Sequence, residues 1–424
     1  MKKVREGYKM TELGEIPIEW QIKSINDICY VNPDTLSNKS DDSLSLEYID
    51  IESVTTRRIN EIKKLEFKDA PSRARRLIKR NDVIMSTVRP YLKAFAKINI
   101  EKDNLVCSTG FAVLRAKKNI NHEFLFQSIL SDYYIQQLSN KMVGSNYPAV
   151  NSSDVRESNI ILPPLEEQEK IASILSTVDE QIDNVDALIE KNKELKKGLM
   201  QTLLTKGIGH TKFKKTEIGE IPEEWEVVKF FDFVDKIIDF RGRTPKKLGM
   251  DWGNGNIQAL SANNVKMGEI DFSLECYLAS EELYKKWMSG NELAIGDILM
   301  TMEAPLGNIA LVPDERKYIL SQRVIALKTR EFINNKFMKY MLMSDVVQNQ
   351  LDKLSTGTTA KGINQKNLAR VYVKIPVIQE QEKIASILSE VDEKIEEHEN
   401  KKQKLEELKK GLMQQLLTGR IRVI

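Results

Sequence analysis

The chain has 424 residues, 41% hydrophobic and 30% charged, room for about two to four domains with buried cores of their own. That composition excludes a disordered or collagenous chain. The 64 Lys and Arg against 62 Asp and Glu leave +2, so a surface for a polyanion must come from segregated charge rather than from the total.

The first residues, MKKVREGYKMTELG, carry the charges of a secretory signal but no apolar stretch behind them, and no run of 18 apolar residues follows. Cys29, Cys107 and Cys276 are odd in number and widely spaced, with neither a disulfide framework nor a CxxC zinc spacing. A cytoplasmic protein without a membrane partner is expected.

In chain order, the first feature is a segment that returns. Residues 11–20 (TELGEIPIEW) recur as 216–225 (TEIGEIPEEW). Residues 167–180 (EQEKIASILSTVDE) recur as 380–393 with a single change, and 196–205 (KKGLMQTLLT) as 409–418. Between these near-copies, residues 21–163 and 226–376 share only a skeleton: 81–86 with 296–301, 108–114 with 321–327, Gly144-Ser145 with Gly357-Thr358. A repeat on this scale indicates internal duplication. The expected order is a segment 1–20 that completes the second repeat, a globular domain 21–163, a helix 164–206, a linking segment 207–225, a globular domain 226–376, and a helix with tail 377–424.

Both near-identical segments read as long helices that start after Pro163-Pro164 and Pro376, residues excluded from a helix interior. Apolar residues fall at alternating three- and four-residue steps: Ile171, Leu175, Val178, Ile182, Val185 in the first, and Ile384, Leu388, Val391, Ile395, Leu405 in the second. Such spacing predicts a coiled-coil seam, with Asn192, Lys196, His398 and Lys402 as polar register devices. Charge predicts the direction of pairing. Residues 165–186 sum to −6 and 187–205 to +2; residues 378–399 sum to −6 and 400–418 to +3. Antiparallel pairing sets each acidic half beside a basic half. The helices sum to −4 and −3, so the rest of the chain carries +9. Equivalent antiparallel helices imply a pseudo-two-fold axis. Two unlike readers so related suit an asymmetric, bipartite site on duplex DNA, with half-sites about one turn, ~34 Å, apart.

The order of variable domains and repeated helices, the TELGEIPxEW segment, the PPLEEQEKIASIL helix start and the Arg241-Gly242-Arg243-Thr244-Pro245 loop resemble the specificity (S) subunit of type I restriction-modification enzymes. The resemblance implies an α+β chain in which two globular α/β target-recognition domains are joined by two long antiparallel coiled-coil helices in a pseudo-two-fold, pseudo-circular frame. Each domain would read one half of a bipartite double-stranded DNA site. The helices would space the domains and recruit two methyltransferase (M) subunits and, through them, restriction (R) subunits. It implies no catalytic residues, metal or cofactor in this chain.

Candidate DNA contacts follow from residue type. In the first domain they are Arg57, Arg58 and the run Arg73, Arg75, Arg76, Lys79, Arg80, since guanidinium forks fit phosphates and guanine edges. In the second they are Arg241, Arg243, Thr244, Lys246 and Lys247 around a Gly/Pro turn. Polar loops at equivalent positions add Ser145, Asn146, Tyr147 and Thr358, Thr359, Lys361, where a structural turn is the competing reading. A solvated basic face is the competing reading for the cations. Two other classes compete with DNA reading: a coiled-coil adaptor that binds proteins only, and a Mg²⁺-dependent nuclease suggested by Pro33-Asp34 with Glu61-Ile62-Lys63, a loose pattern that chance supplies in a Lys/Glu-rich chain. The order of the repeats also predicts that the N-terminal segment lies beside the tail after the second helix, where the second unit lacks its continuation.

Overall fold

The computed structural model describes residues 4–37, 40–357 and 360–423. It divides into two compact units: residues 1–186 with 400–424, and residues 187–399.

The sheets of the first unit grow from short, fully buried apolar runs. Val83–Ser86 is buried at all four positions and lies second in a four-stranded sheet, between Phe95–Lys97 and Phe111–Ala116, with Cys29–Val31 at the far edge. Continuous burial of this kind marks a strand covered on both faces. A second sheet of five strands sets Leu105–Ser108 parallel to Ser45–Ile49, with Ala74–Leu77 and Lys63–Glu66 outside them. The second unit repeats this skeleton with other residues. Its four-stranded sheet is Val234–Asp239, Val324–Thr329, Ile298–Met302 and Leu306–Leu311. Its smaller sheet again contains a parallel pair, Ile257–Leu260 with Tyr318–Leu320, flanked by Tyr277–Ala279.

The long helices run Leu165–Lys206 and Ile378–Leu416. In the first unit Lys409 Nζ lies 2.7 Å from Asp179, and Lys402 Nζ 2.8 Å from Asp186. As one sequence advances its partner retreats, so the opening half of the first helix and the closing half of the second are antiparallel. The second unit repeats the arrangement with exchanged roles: Lys196 Nζ is 2.5 Å from Asp392 and Lys193 Nζ 3.5 Å from Glu399. In each unit an acidic opening half therefore meets a basic closing half, as the charge count predicts.

The apolar stripe has a second partner beyond the facing helix. Ile171 and Leu175 belong to the core of the first globular domain, together with Leu416 and Leu417 from the end of the other helix. Ile384 and Leu388 do the same for the second domain, with Leu203 and Leu204. Val178, Ile182, Val185 and Val391 are buried, whereas Ile395 and Leu405 are only half-buried.

Within the first unit the chain ends meet. Tyr8 donates its hydroxyl to the Gly419 carbonyl at 3.0 Å, and Arg422 reaches Glu19 at 2.9 Å. The backbone of Gly419 approaches the rings of Pro17 and Trp20 so closely that a Cβ there would collide with the proline. Its φ of +69° also suits glycine. This is the predicted closure of the tail against the N-terminal segment.

Since Leu175 and Leu388 are both fully buried, replacing either by Ala should cost about 2–5 kcal/mol in denaturant unfolding. A change below about 0.5 kcal/mol at both would show that these cores do not depend on the helices.

Candidate nucleic-acid interface

The predicted basic residues of the first domain separate into two groups. Arg57, at the tip of the hairpin Val54–Thr55/Arg58–Ile59, turns toward the first long helix, pairing with Asp179 and, at 2.5 Å, with Asp183. Arg58 follows, 2.7 Å from Asp183 and 2.6 Å from Asp186. Asp179 also accepts from Gln127 Nε2 at 2.7 Å and Lys409. Both guanidinium groups are thus engaged by helix carboxylates, and the arrangement ties the domain to the frame.

The second group runs along the strand Ala74–Leu77, with Arg73 before it and Lys79 and Arg80 beyond its other end. Thr109 donates its amide to the Arg73 carbonyl, and the Arg76 guanidinium leans on the Thr109 carbonyl. Arg75 lies over the Phe67 ring at 4.8 Å. Burial, with Arg156 nearby, holds the Arg76 pKa below its ordinary value, and its Nε has no hydrogen-bond partner. Lys79 is 3.3 Å from Asp34, and Arg80 is 3.8 Å from Glu101, both with exposed cationic ends.

Beside this group, the bridge between Val143 and Ala149 closes a small loop that presents Ser145, Asn146 and Tyr147. Tyr147 is 72% exposed and stacks beneath Arg89, whose guanidinium lies 4.7 Å from the ring and donates to the Asn146 carbonyl at 2.7 Å. Arg89 itself sits in left-handed backbone, φ +48°. Neither Arg89 nor Arg156 stands out in the sequence, because each is an isolated cation.

The RGRTP loop of the second domain follows the strand Val234–Asp239, at the edge of the four-stranded sheet. Arg241 is held by Asp239 at 2.6 Å; burial works to raise that carboxyl, yet the Arg241 contacts keep it below its ordinary range. Arg243 spreads over the Phe240 ring at 4.4 Å and donates to the Trp287 carbonyl. Lys247 caps the turn through the Gly242 carbonyl at 2.6 Å. Thr244 is half-buried at the start of the short helical turn Pro245–Leu248, and Lys246 on that turn has no ion pair among the described residues. The bridge between Thr356 and Gly362 closes the counterpart of the 143–149 loop. Lys361 in it pairs with Asp352, while Thr358 and Thr359 lie outside the described residues.

Among the described residues no cluster of His, Cys, Asp or Glu is arranged to hold a metal, and no helix is long and apolar enough to cross a membrane. Asp34 of the formal nuclease pattern is taken up by Arg115 at 2.7 Å, and Lys63 by Asp50 at 2.5 Å.

The family model described as type I restriction modification DNA specificity domain matches the chain twice, at residues 17–196 and 222–407. A putative type I restriction enzyme MjaX specificity subunit of Methanocaldococcus jannaschii is 30% identical over 99% of this chain and 97% of its own. The type I restriction enzyme MjaVIII specificity subunit of the same organism is also 30% identical, over 99% and 96%. Among solved structures, a chain from work on complex assembly and conformational transition of the type I R-M system is similar, with a TM-score of 0.58, 25% identity, and 96% and 99% of the two chains covered. The S subunit of a type I restriction-modification system from M. genitalium shares the fold, with a TM-score of 0.57 at 14% identity over 98% of each chain.

The two groups of arginines should separate by experiment. Arg57→Ala removes one partner of a largely buried carboxylate and should lower stability by about 1–3 kcal/mol, whereas exposed Arg73→Ala should stay within about 0.5 kcal/mol of the parent. Thermal unfolding of the two variants checks this; equal effects would contradict the tether.

Proposed function

The chain belongs to the type I restriction-modification DNA specificity family, and on that premise we propose that it is the non-catalytic, sequence-reading subunit of a DNA methyltransferase and endonuclease complex. Each globular domain reads one half of an asymmetric bipartite site in double-stranded DNA. The long helices set the spacing and offer the docking frame for two methyltransferase subunits, and restriction subunits join through them. The chain works in the cytoplasm and needs no cofactor of its own.

One observation carries this reading. The same sheet skeleton occurs twice on near-identical helices, and each copy carries basic and polar groups that differ in kind: Arg73, Arg76, Arg89 and Tyr147 in the first domain, Arg243, Lys246 and Lys361 in the second. Retained skeletons with exchanged tips suit two readers of different sequences. Phosphate contacts would come from the exposed cations, Arg73, Lys79, Arg80, Lys246 and Lys361, and base contacts from groups held in fixed orientation, such as Arg76, Arg89 and Arg243. Arg57, Arg58 and Arg241 hold the readers in shape through their carboxylate partners.

Replacing residues 21–163 with the corresponding domain of a relative should change one half of the methylated sequence and leave the other half and the second domain's preference intact. Methylome sequencing of a strain carrying the chimaera reads this directly. A change in both halves, or in neither, would overturn the modular assignment.

A further inference from the structure

Beside the RGRTP loop the second domain contains an open groove of about 880 Å³ with an aromatic wall. Three rings lead from the core to this groove. Trp287, on the helix Glu281–Met288, is 1% exposed, and its indole N–H donates to the Leu320 carbonyl at 3.0 Å. Trp252 lies 5.3 Å from it, tilted by 42°. Tyr277 then stacks on Trp252, 5.2 Å between centroids and within 6° of parallel, and is 63% exposed.

A singly exposed aromatic needs no special reason. This one is held flat by two rings behind it, at the start of the strand Tyr277–Ala279, and its hydroxyl has no hydrogen-bond partner among the described residues. The groove also takes in Lys246, Lys266, Asn263, Gln322 and Arg323. Lys246 and Lys266 carry no ion pair among the described residues, and Arg323 meets Glu303 at 3.4 Å. A rigid π face beside amides and unpaired ammonium groups matches a nucleotide: a flat base to stack, edges for amides, a phosphate for the lysines.

Among the described residues the first domain has no such wall. The strand antiparallel to its parallel pair, in the place that Tyr277–Ala279 takes in the second, is Lys63–Glu66, with the sequence KKLE. The groove is therefore a point at which the two readers differ in chemistry.

We propose that Tyr277, backed by Trp252 and Trp287, stacks on a base of the second half-site, with Lys246 and Lys266 on the adjoining phosphates, and so helps determine that half-site's sequence. The proposal rests on the DNA-reading function proposed above. In a regular duplex base faces are covered by their neighbours, so stacking on Tyr277 requires one step to be opened or kinked where the second domain binds.

The test uses the full chain assembled with its methyltransferase partners, on duplexes carrying the sequence that methylome sequencing assigns. Tyr277→Ala should weaken binding roughly ten- to a hundred-fold and relax preference in the second half-site only, while Tyr277→Phe, which keeps the face, stays near the parent. Cys276, half-exposed in the same groove, supplies a readout independent of activity, since Cys29 and Cys107 are buried and burial pushes the Cys29 thiol up to about 12. Alkylation of Cys276 should slow with the full target and not with a duplex whose second half is scrambled. Unchanged binding and half-site preference in Tyr277→Ala, or a Cys276 rate indifferent to DNA, would overturn the proposal while leaving sequence-dependent binding by the parent complex in place. If the parent complex bound all duplexes equally, the DNA-reading function itself would fall, and this proposal with it.

Discussion

One carboxylate near the start of each long helix, buried at Glu167 and half-buried at Glu380, organises the chain around it. Glu167 is 5% exposed and accepts the indole N–H of Trp20 at 2.9 Å and two bonds from the Arg422 guanidinium, at 2.7 and 2.9 Å. Glu380 accepts the indole of Trp225 at 3.0 Å, His210 at 3.0 Å and the Ile208 amide at 2.8 Å. A charge in this position is costly unless every lone pair is met, so it dictates what surrounds it. In each unit it fastens three pieces: the opening of one helix, the tryptophan that leads into the globular domain, and the chain that leaves the other helix.

The next layer of the frame is built on the same plan. Gln168 and Gln381, one residue further along, each bind back to the proline segment before their helix and receive an amide from the start of a short helix in their own domain, Asn121 in one and Asn334 in the other. About three turns later Asp179 and Asp392 receive a lysine from the facing helix and a side chain of the globular domain, Gln127 or Tyr340. The reading domains thus sit on the helices through side chains that the duplication preserved on the helix and left free to change on the domain. That division explains how divergent domains keep equivalent seats.

The frame was legible in the sequence because its information is local and periodic. Helix limits followed from Pro163-Pro164 and Pro376, direction from the charge of each half, and the meeting of the ends from the order of the repeats. The reading surface was much less legible. Arg57 and Arg58 look like their neighbours in a basic run, yet the carboxylates that engage them stand 122 to 128 residues away on a helix. Arg89 gains its place from a loop closed by Val143 and Ala149. The three rings of the second domain come together through packing of its smaller sheet with the helix Glu281–Met288, which no spacing announces. Composition marks cations, but only tertiary structure says which are already neutralised.

The partition of the chain into units has a consequence for shorter versions of the protein. Each unit takes the opening half of one helix and the closing half of the other, and its carboxylate is satisfied by a segment that follows the opposite repeat. A polypeptide containing one repeat alone would expose the apolar stripe of its helix and strand Glu167 without a guanidinium. Two such polypeptides could each supply what the other lacks, through contacts already present in the intact chain. A half-length gene product should therefore sediment as a homodimer with two like readers, and its methylated target should be a palindrome.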